Sequence, residues 1–325
     1  MKPYYKNELT TIYNGDCLEV MDYLIEQGIK VDAIITDPPY GIMKDITQDG
    51  IDGMDWDTAL NPMDIFIKTN KLLKKNGKLI LFSQEPYTTK LVNSVLPNLP
   101  FKYRMVWEKD DFANALLCNK APVSYYEDIL VFSKTHETNG KHPLHDWLVK
   151  IQKQKKWNDK ELINLYVSKG YSKNVASASA TLQHLLDWKY NQIGVINEKH
   201  YDILKNYFNF DETLEYLNSI YTKYKNNNKS VYNLWQGEKY KSNILKYKKD
   251  YDGYHPTQKP ILLLEDLIKT YSNENNTILD FTMGSGSTGV ACFYANRKFI
   301  GIELSKEYCD IGIKRLESLQ MRLDI

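Results

Sequence analysis

The sequence predicts an α/β protein: a mostly parallel, wound sheet with helices on both faces, interrupted by a helical insert. Three observations carry that expectation. Short runs such as Val31-Asp32-Ala33-Ile34-Ile35-Thr36 and Thr277-Ile278-Leu279-Asp280-Phe281 have the length and β-branched, apolar density of strands buried on both faces. Amphipathic helical spacings alternate with them, as βα winding requires. From about residue 136 the strands vanish, and lysine, asparagine and tyrosine dominate a series of helical patterns. The expected organisation is therefore 1–135, an insert over 136–245, and a return to α/β character over 246–325.

Composition bounds the possibilities. With 325 residues, 42% hydrophobic and 26% charged, the chain has the makeup of a soluble globular protein of one large or two modest domains. Cys17, Cys118, Cys292 and Cys309 have no paired spacing, and the first residues lack an apolar signal core, so reduced thiols and a cytoplasmic location are expected. No apolar run approaches a membrane span. The formal net charge of +1 hides an asymmetry: from Lys134 to Asp250 lysines exceed acids by roughly eight. That stretch either attracts phosphate or is a solvated lysine-rich surface.

Taken in order, Thr10-Thr11-Ile12-Tyr13 reads as a strand, and the spacing of Cys17, Val20, Met21 and Leu24 as a helix ending near Gly28. Asp16 then lies between a strand's carboxyl end and a helix start, placed either to cap the helix or to meet a ligand. The strand from Val31 runs into Asp37-Pro38-Pro39-Tyr40. Two prolines cannot continue a ladder, hold Asp37 out of the helical region, and leave the Asp37 and Pro38 carbonyls as acceptors without adjacent donors. Tyr40 adds a flat aromatic face and Gly41 permits close approach. An acceptor pair beside an aromatic plate suits a planar amine. Lys44 to Trp56 is rich in Asp, Gly and Gln and reads as a loop over this site. A helix over Pro62 to Lys74, a strand over Lys78 to Phe82, a helix after Pro86, and strands over Phe101 to Trp107 and Asp128 to Phe132 follow, the last two forming an antiparallel edge.

In the insert, a helix over Asp159 to Val167 ends at Gly170, Ser172 opens another, and Glu198 to Phe208 is a third. Two helices joined by a short glycine turn outline a helix-turn-helix. His142 and His145 have metal-like spacing but no completing ligand, so they read as surface histidines and no metal is expected.

Past His255-Pro256-Thr257-Gln258-Lys259-Pro260 comes an apolar helix, Ile261 to Tyr271. The strand ending at Phe281 enters the small-residue turn Thr282 to Gly289, where a ligand can approach backbone amides at the start of a helix over Val290 to Ala295. The next strand, Phe299 to Ile302, ends in Glu303. This acid stands about twenty residues past the glycines, where a carboxylate can accept ribose hydroxyls.

Together, Asp37-Pro38-Pro39-Tyr40, the HPTQKP stretch, the glycine turn and the strand ending in Glu303 resemble the amino-methylating DNA methyltransferases of the beta group. In that group the catalytic motif precedes the cofactor motif, and a target-recognition region lies between. The resemblance covers roughly residues 8 to 135 and 250 to 320. It implies a circularly permuted Rossmann-like AdoMet-dependent methyltransferase sheet, since the last helix would lead into the first strand if the ends were joined. It implies S-adenosyl-L-methionine (AdoMet) as methyl donor, bound by Asp16, Cys17, Lys259, Phe281, Gly284, Gly286 and Glu303, with Lys259 near the methionine carboxylate. Asp37, Pro38, Pro39 and Tyr40 would be catalytic. The implied partner is double-stranded DNA, with a homodimer and a cognate restriction nuclease left open.

The implied chemistry follows from the amine. An exocyclic amino nitrogen is a poor nucleophile because its lone pair is delocalised into the ring; bonds from its two N–H groups to Asp37 and the Pro38 carbonyl would re-aim that pair. The base must be flipped out of the duplex and stacked on Tyr40. Asp before the prolines favours adenine, leaving N4-cytosine as the alternative. A DNA-binding regulator on a vestigial fold, or methylation of RNA or a protein amide, fits fewer of these residues.

Overall fold

The computed structural model describes residues 1–41, 57–113, 122–135, 144–155, 158–186, 196–227, 231–237, 239–250 and 258–323. The expected loop at 44–56, His142 and residues 255–257 lie outside them. The chain divides into two compact units, Met1–Glu137 with Ser230–Ile325, and Thr138–Lys229.

In the first unit β1 (Tyr5–Lys6) and β2 (Thr10–Asn14) lead into α1 (Cys17–Glu26), and β3 (Val31–Thr36) ends at the proline pair. Then come α2 (Pro62–Leu72), β4 (Leu73–Ser83), α3 (Tyr87–Asn93), β5 (Phe101–Ala113) and β6 (Ser124–Ser133). In the second unit, α4 (His145–Gln154), α5 (Asp159–Ser168), α6 (Val175–Leu186), α7 (Glu198–Phe208) and α8 (Leu214–Asn227) bury Leu148, Leu162, Tyr166, Leu204 and Phe208 in a core of their own. Helix α6 opens at Val175 rather than Ser172, because the Asn174 side chain accepts from Ser177 N at 2.9 Å and so sets the helix start. Gly170, at φ 69°, makes the turn between α5 and α6. The first unit resumes with β7 (Ile244–Lys246), α9 (Ile261–Tyr271), β8 (Thr277–Asp280), α10 (Ser287–Tyr294), β9 (Lys298–Glu303) and α11 (Lys306–Leu323).

The sheet order is β1-β2-β9-β8-β3-β4-β6-β5-β7. Strands β2, β9, β8, β3 and β4 are parallel, and their faces are covered by two apolar clusters, one around Ile35, Leu267 and Phe299 and one around Ile34, Phe66 and Phe281. The permutation is visible in the register: the first long strand pairs with the last, Thr10 opposite Phe299 through Asn14 opposite Glu303. Tyr4 donates to Asp310, near the start of α11, at 2.7 Å, so the first and last elements of the chain meet at this seam.

Strands β5 and β6 are antiparallel to each other but are not the edge, because β7 adds outside β5. The same segment shifts the insert boundary from 245 to 229/230. Asn233, Trp235 and Lys241 are fastened to α9: Asn233 N donates to Thr270 O at 2.8 Å, and Trp235 Nε1 and Lys241 Nζ reach the buried Asp266 at 2.8 and 2.5 Å. Chain order runs from β8 to β9 on one side and from β3 to β4 on the other, so the crevice between the carboxyl ends of β8 and β3 is where this topology binds ligands.

Candidate active site

A cavity of about 870 Å³ opens at that crevice, and its wall includes Asp16, Cys17, Asp37, Pro38, Pro39, Tyr40, Lys259, Phe281, Gly284 and Glu303. Its two ends are built differently. At the β3 end, Thr36 Oγ1 donates to Asp280 Oδ1 and contacts Thr282 Oγ1, both at 2.7 Å, which locks the end of β3 to the end of β8. Both Asp37 carboxylate oxygens have partners: Tyr40 donates its hydroxyl to Oδ1 and Lys259 its ammonium to Oδ2. Lys259 also pairs with Glu127 at 3.1 Å, and Glu127 with Lys109 at 2.5 Å, a four-charge chain from β3 to β5 whose other members are buried.

Burial pushes the Asp37 carboxyl above its ordinary range; Lys259 and the bond from Tyr40 pull it down, while Glu127 adds to the rise. Burial would also raise Glu127, but Lys259 and Lys109 overcome it and hold this carboxyl low. Burial works against the Lys259 ammonium, and the two carboxylates more than offset that. Tyr40 is pushed well up by burial and by Asp37, so it stays a neutral donor. Gly41 N donates to Asp57 at 2.9 Å; with φ at 73° and an added Cβ only 2.9 Å from the Ala59 Cβ, only glycine fits there.

The other end is built from backbone. Glu303 Oε2 accepts from Gly284 N at 3.0 Å and Oε1 from Ser305 N at 2.8 Å, which leaves each oxygen a lone pair. Gly284 and Gly286 have φ of 52° and 82°, and a Cβ on Gly286 would lie 3.1 Å from the Cα of Gly312 in α11. Asp280, at the base of the turn, accepts from Thr36, Thr282 N and Thr288, and burial raises its carboxyl to about 6. The half-buried Cys17 is pushed up to about 12 by burial, so its thiol stays protonated and is no nucleophile. A carboxylate with free lone pairs at a tight turn, in a cavity of this size, is an acceptor suited to the hydroxyls of a ribose diol.

Comparison with known proteins decides the family. The sequence profile of the N6/N4 DNA methylase family matches residues 31–314. The chain belongs to that family. The methylase is 25% identical over 315 residues to the DNA adenine methyltransferase YhdJ of Escherichia coli K12, covering 96% of this chain and 84% of that one. It is 41% identical over 103 residues to the type II methyltransferase M2.DpnII of Streptococcus pneumoniae, a match spanning 32% of this chain and only 37% of that enzyme. Among solved structures, the M1.HpyAVI–SAM complex superposes with a TM-score of 0.52 at 21% identity, covering 95% of the methylase and all of that chain. At that identity the likeness is one of fold.

Three of the expected site groups have partners within the protein. Lys259 reaches Asp37 and Glu127, so its ammonium is engaged at the acceptor end. Asp16 acts as a cap, its Oδ1 accepting from Leu18 N at 2.9 Å and Glu19 N at 3.1 Å, although it also lines the cavity. The Asp37 carbonyl is not free, since Thr282 Oγ1 donates to it at 3.0 Å; among the described residues nothing donates to Pro38 O. Phe281 is fully buried in the core beneath the cavity. Glu127, Lys109 and Asp280 were not singled out from the sequence. Within the strand and helix patterns the first two look like ordinary polar positions, whereas a polar residue ending the apolar run Thr277 to Leu279 was a usable signal for Asp280.

Proposed function

We propose that this chain transfers a methyl group from AdoMet to the exocyclic amino group of an adenine flipped out of duplex DNA. The observation that carries the reading is that the Asp37-Pro38-Pro39-Tyr40 end of β3 and the Gly284–Glu303 turn share one cavity. Aspartate before the prolines and the E. coli adenine methyltransferase among the relatives favour adenine over cytosine.

AdoMet, held by Glu303 and the glycine turn with Asp16, Cys17 and Phe281 alongside, supplies an electrophilic methyl group when bound. The chain's own residues prepare the acceptor. Each Asp37 oxygen retains a lone pair beyond its bond to Tyr40 or Lys259, so the carboxylate can take one N–H of the amine while Pro38 O takes the other. Lys259 opposes the burial that favours protonated Asp37, and so favours its role as an acceptor. The proton lost by the product amine then passes to Asp37 or to water. The lysine-bearing helical unit, Thr138–Lys229, is assigned the reading of the DNA sequence.

The test is expression in a host that lacks methylation, with modified bases mapped across the genome. N6-methyladenine at one recurring sequence is expected. N4-methylcytosine would move the target to cytosine, and an unmodified genome would overturn the reading.

A further inference from the structure

Gln258 lines the cavity, yet both polar atoms of its side chain, Oε1 and Nε2, are buried with no hydrogen-bond partner among the described residues. A buried carboxamide with donor and acceptor both unmet is costly, and native proteins keep such groups where a ligand completes them. Its place in the chain indicates which ligand. Gln258 lines the same cavity as Asp37 and Glu127 and immediately precedes Lys259, whose ammonium reaches both, so the acceptor end is the part of the cavity tied to it through the chain. Asp37 and Pro38 O satisfy the amino group itself in the reading above. What remains on that edge of the base is an unprotonated ring nitrogen, an acceptor that an amide N–H can meet. A flipped base presents this Watson–Crick edge freely.

We propose that Gln258 binds the target base, its Nε2–H donating to the unprotonated ring nitrogen next to the methylated amino group, which is N1 of adenine. The assignment rests on the adenine methyltransferase reading. It makes Gln258 a residue that positions the base through its ring edge, the acceptor being N1 in adenine and the equivalent N3 in cytosine.

The test uses the full chain and a duplex carrying the site found by genome mapping, with either adenine or 1-deazaadenine at the target position. Wild type should lose at least about tenfold in kcat/KM on 1-deazaadenine, the loss of one hydrogen bond. Gln258→Leu should lose about tenfold on adenine and nothing further on 1-deazaadenine, with AdoMet affinity by calorimetry unchanged. Losses that multiply would overturn the proposal, as would a tenfold drop in AdoMet affinity, which would turn the amide toward the cofactor. Wild type indifferent to 1-deazaadenine would overturn it without any variant. Wild type inactive on unmodified duplex would instead remove the methyltransferase reading beneath it.

Discussion

The two ends of the crevice solve the same problem, presenting a carboxylate to a ligand, by opposite means. Glu303 is held by backbone N–H groups of Gly284 and Ser305, one on the adjoining turn and one two residues away. Asp37 is held by side chains: Tyr40 three residues on, and Lys259 from 222 residues away, itself steadied by Glu127 and Lys109. A carboxylate fixed by backbone amides is as rigid as the turn that carries it. One fixed by a buried charge chain depends on every member, and its affinity for protons can be set by them. The cofactor end is therefore expected to tolerate change outside its turn, and the acceptor end to fail when a distant residue is altered.

The largest effect falls on the acceptor itself. Asp37→Ala should lower turnover by at least about 100-fold, the scale for removing one positioned transition-state partner, while AdoMet affinity stays near that of wild type. Turnover within tenfold of wild type would break the contrast, since the two ends would then not differ in task.

Lys259→Met tests the charge chain. It leaves the half-buried Asp37 without a cation and the buried Glu127 with Lys109 alone, and should cost roughly 3 to 5 kcal/mol in denaturant unfolding near neutral pH. The sign of its pH dependence is fixed. Burial already raises Asp37, and removing Lys259 raises it further; a carboxyl whose folded pKa is raised contributes most when protonated, below its unfolded value, and loses that contribution as pH rises through the folded one. The deficit of the variant should thus shrink as pH falls, and the acidic limb of its pH–rate profile should move to higher pH. A deficit independent of pH would mean that Lys259 contributes packing rather than charge.

This contrast also explains what could be read in the sequence. Elements with their own period were legible: Glu198–Phe208 and Ile261–Tyr271 fall where the spacing puts them, β3 ends at the prolines, and β8 ends at Asp280, one residue before the expected Phe281. The α/β class and the permuted order followed from these. Elements that exist only through pairing were not legible: β7 is three residues long and is defined by Val106 to Glu108 beside it, and α4 and α8 are polar helices whose buried faces belong to the insert's core. Helix α10 begins at Ser287, not Val290, because the left-handed Gly286 turns the chain directly into it. The site follows the same rule. Glu303 and the glycines lie together in sequence, whereas Glu127 and Lys109 become neighbours of Asp37 only once β5, β6 and β3 share a sheet.

Glu303→Ala should weaken AdoMet binding by about 1.5 to 3 kcal/mol, the range for a hydrogen bond to a charged acceptor, with the pH dependence of stability at the acceptor end unchanged. Calorimetry measures the first and unfolding against pH the second. A loss at both ends would show that the crevice is one coupled unit, and the contrast would fall.

The smallest effect separates two roles of one residue. Asp16 caps α1, and losing a side-chain cap costs about 1 kcal/mol, so Asp16→Ala should show that deficit in unfolding. Asp16 also lines the cavity, and both capping bonds go to Oδ1, which leaves Oδ2 for a ligand hydroxyl. Asp16→Ser distinguishes the roles, because serine caps as well as aspartate but is shorter and uncharged. Stability should return to that of wild type in Asp16→Ser while AdoMet affinity stays lowered, as it is in Asp16→Ala. If serine restores both, Asp16 is a cap alone, and Glu303 with its backbone donors accounts for the carboxylate chemistry of the cofactor end. If neither is restored, the helix start depends on the negative charge at the N-terminus of α1 rather than on the hydrogen bonds, and the cap and the contact cannot be separated by side-chain length.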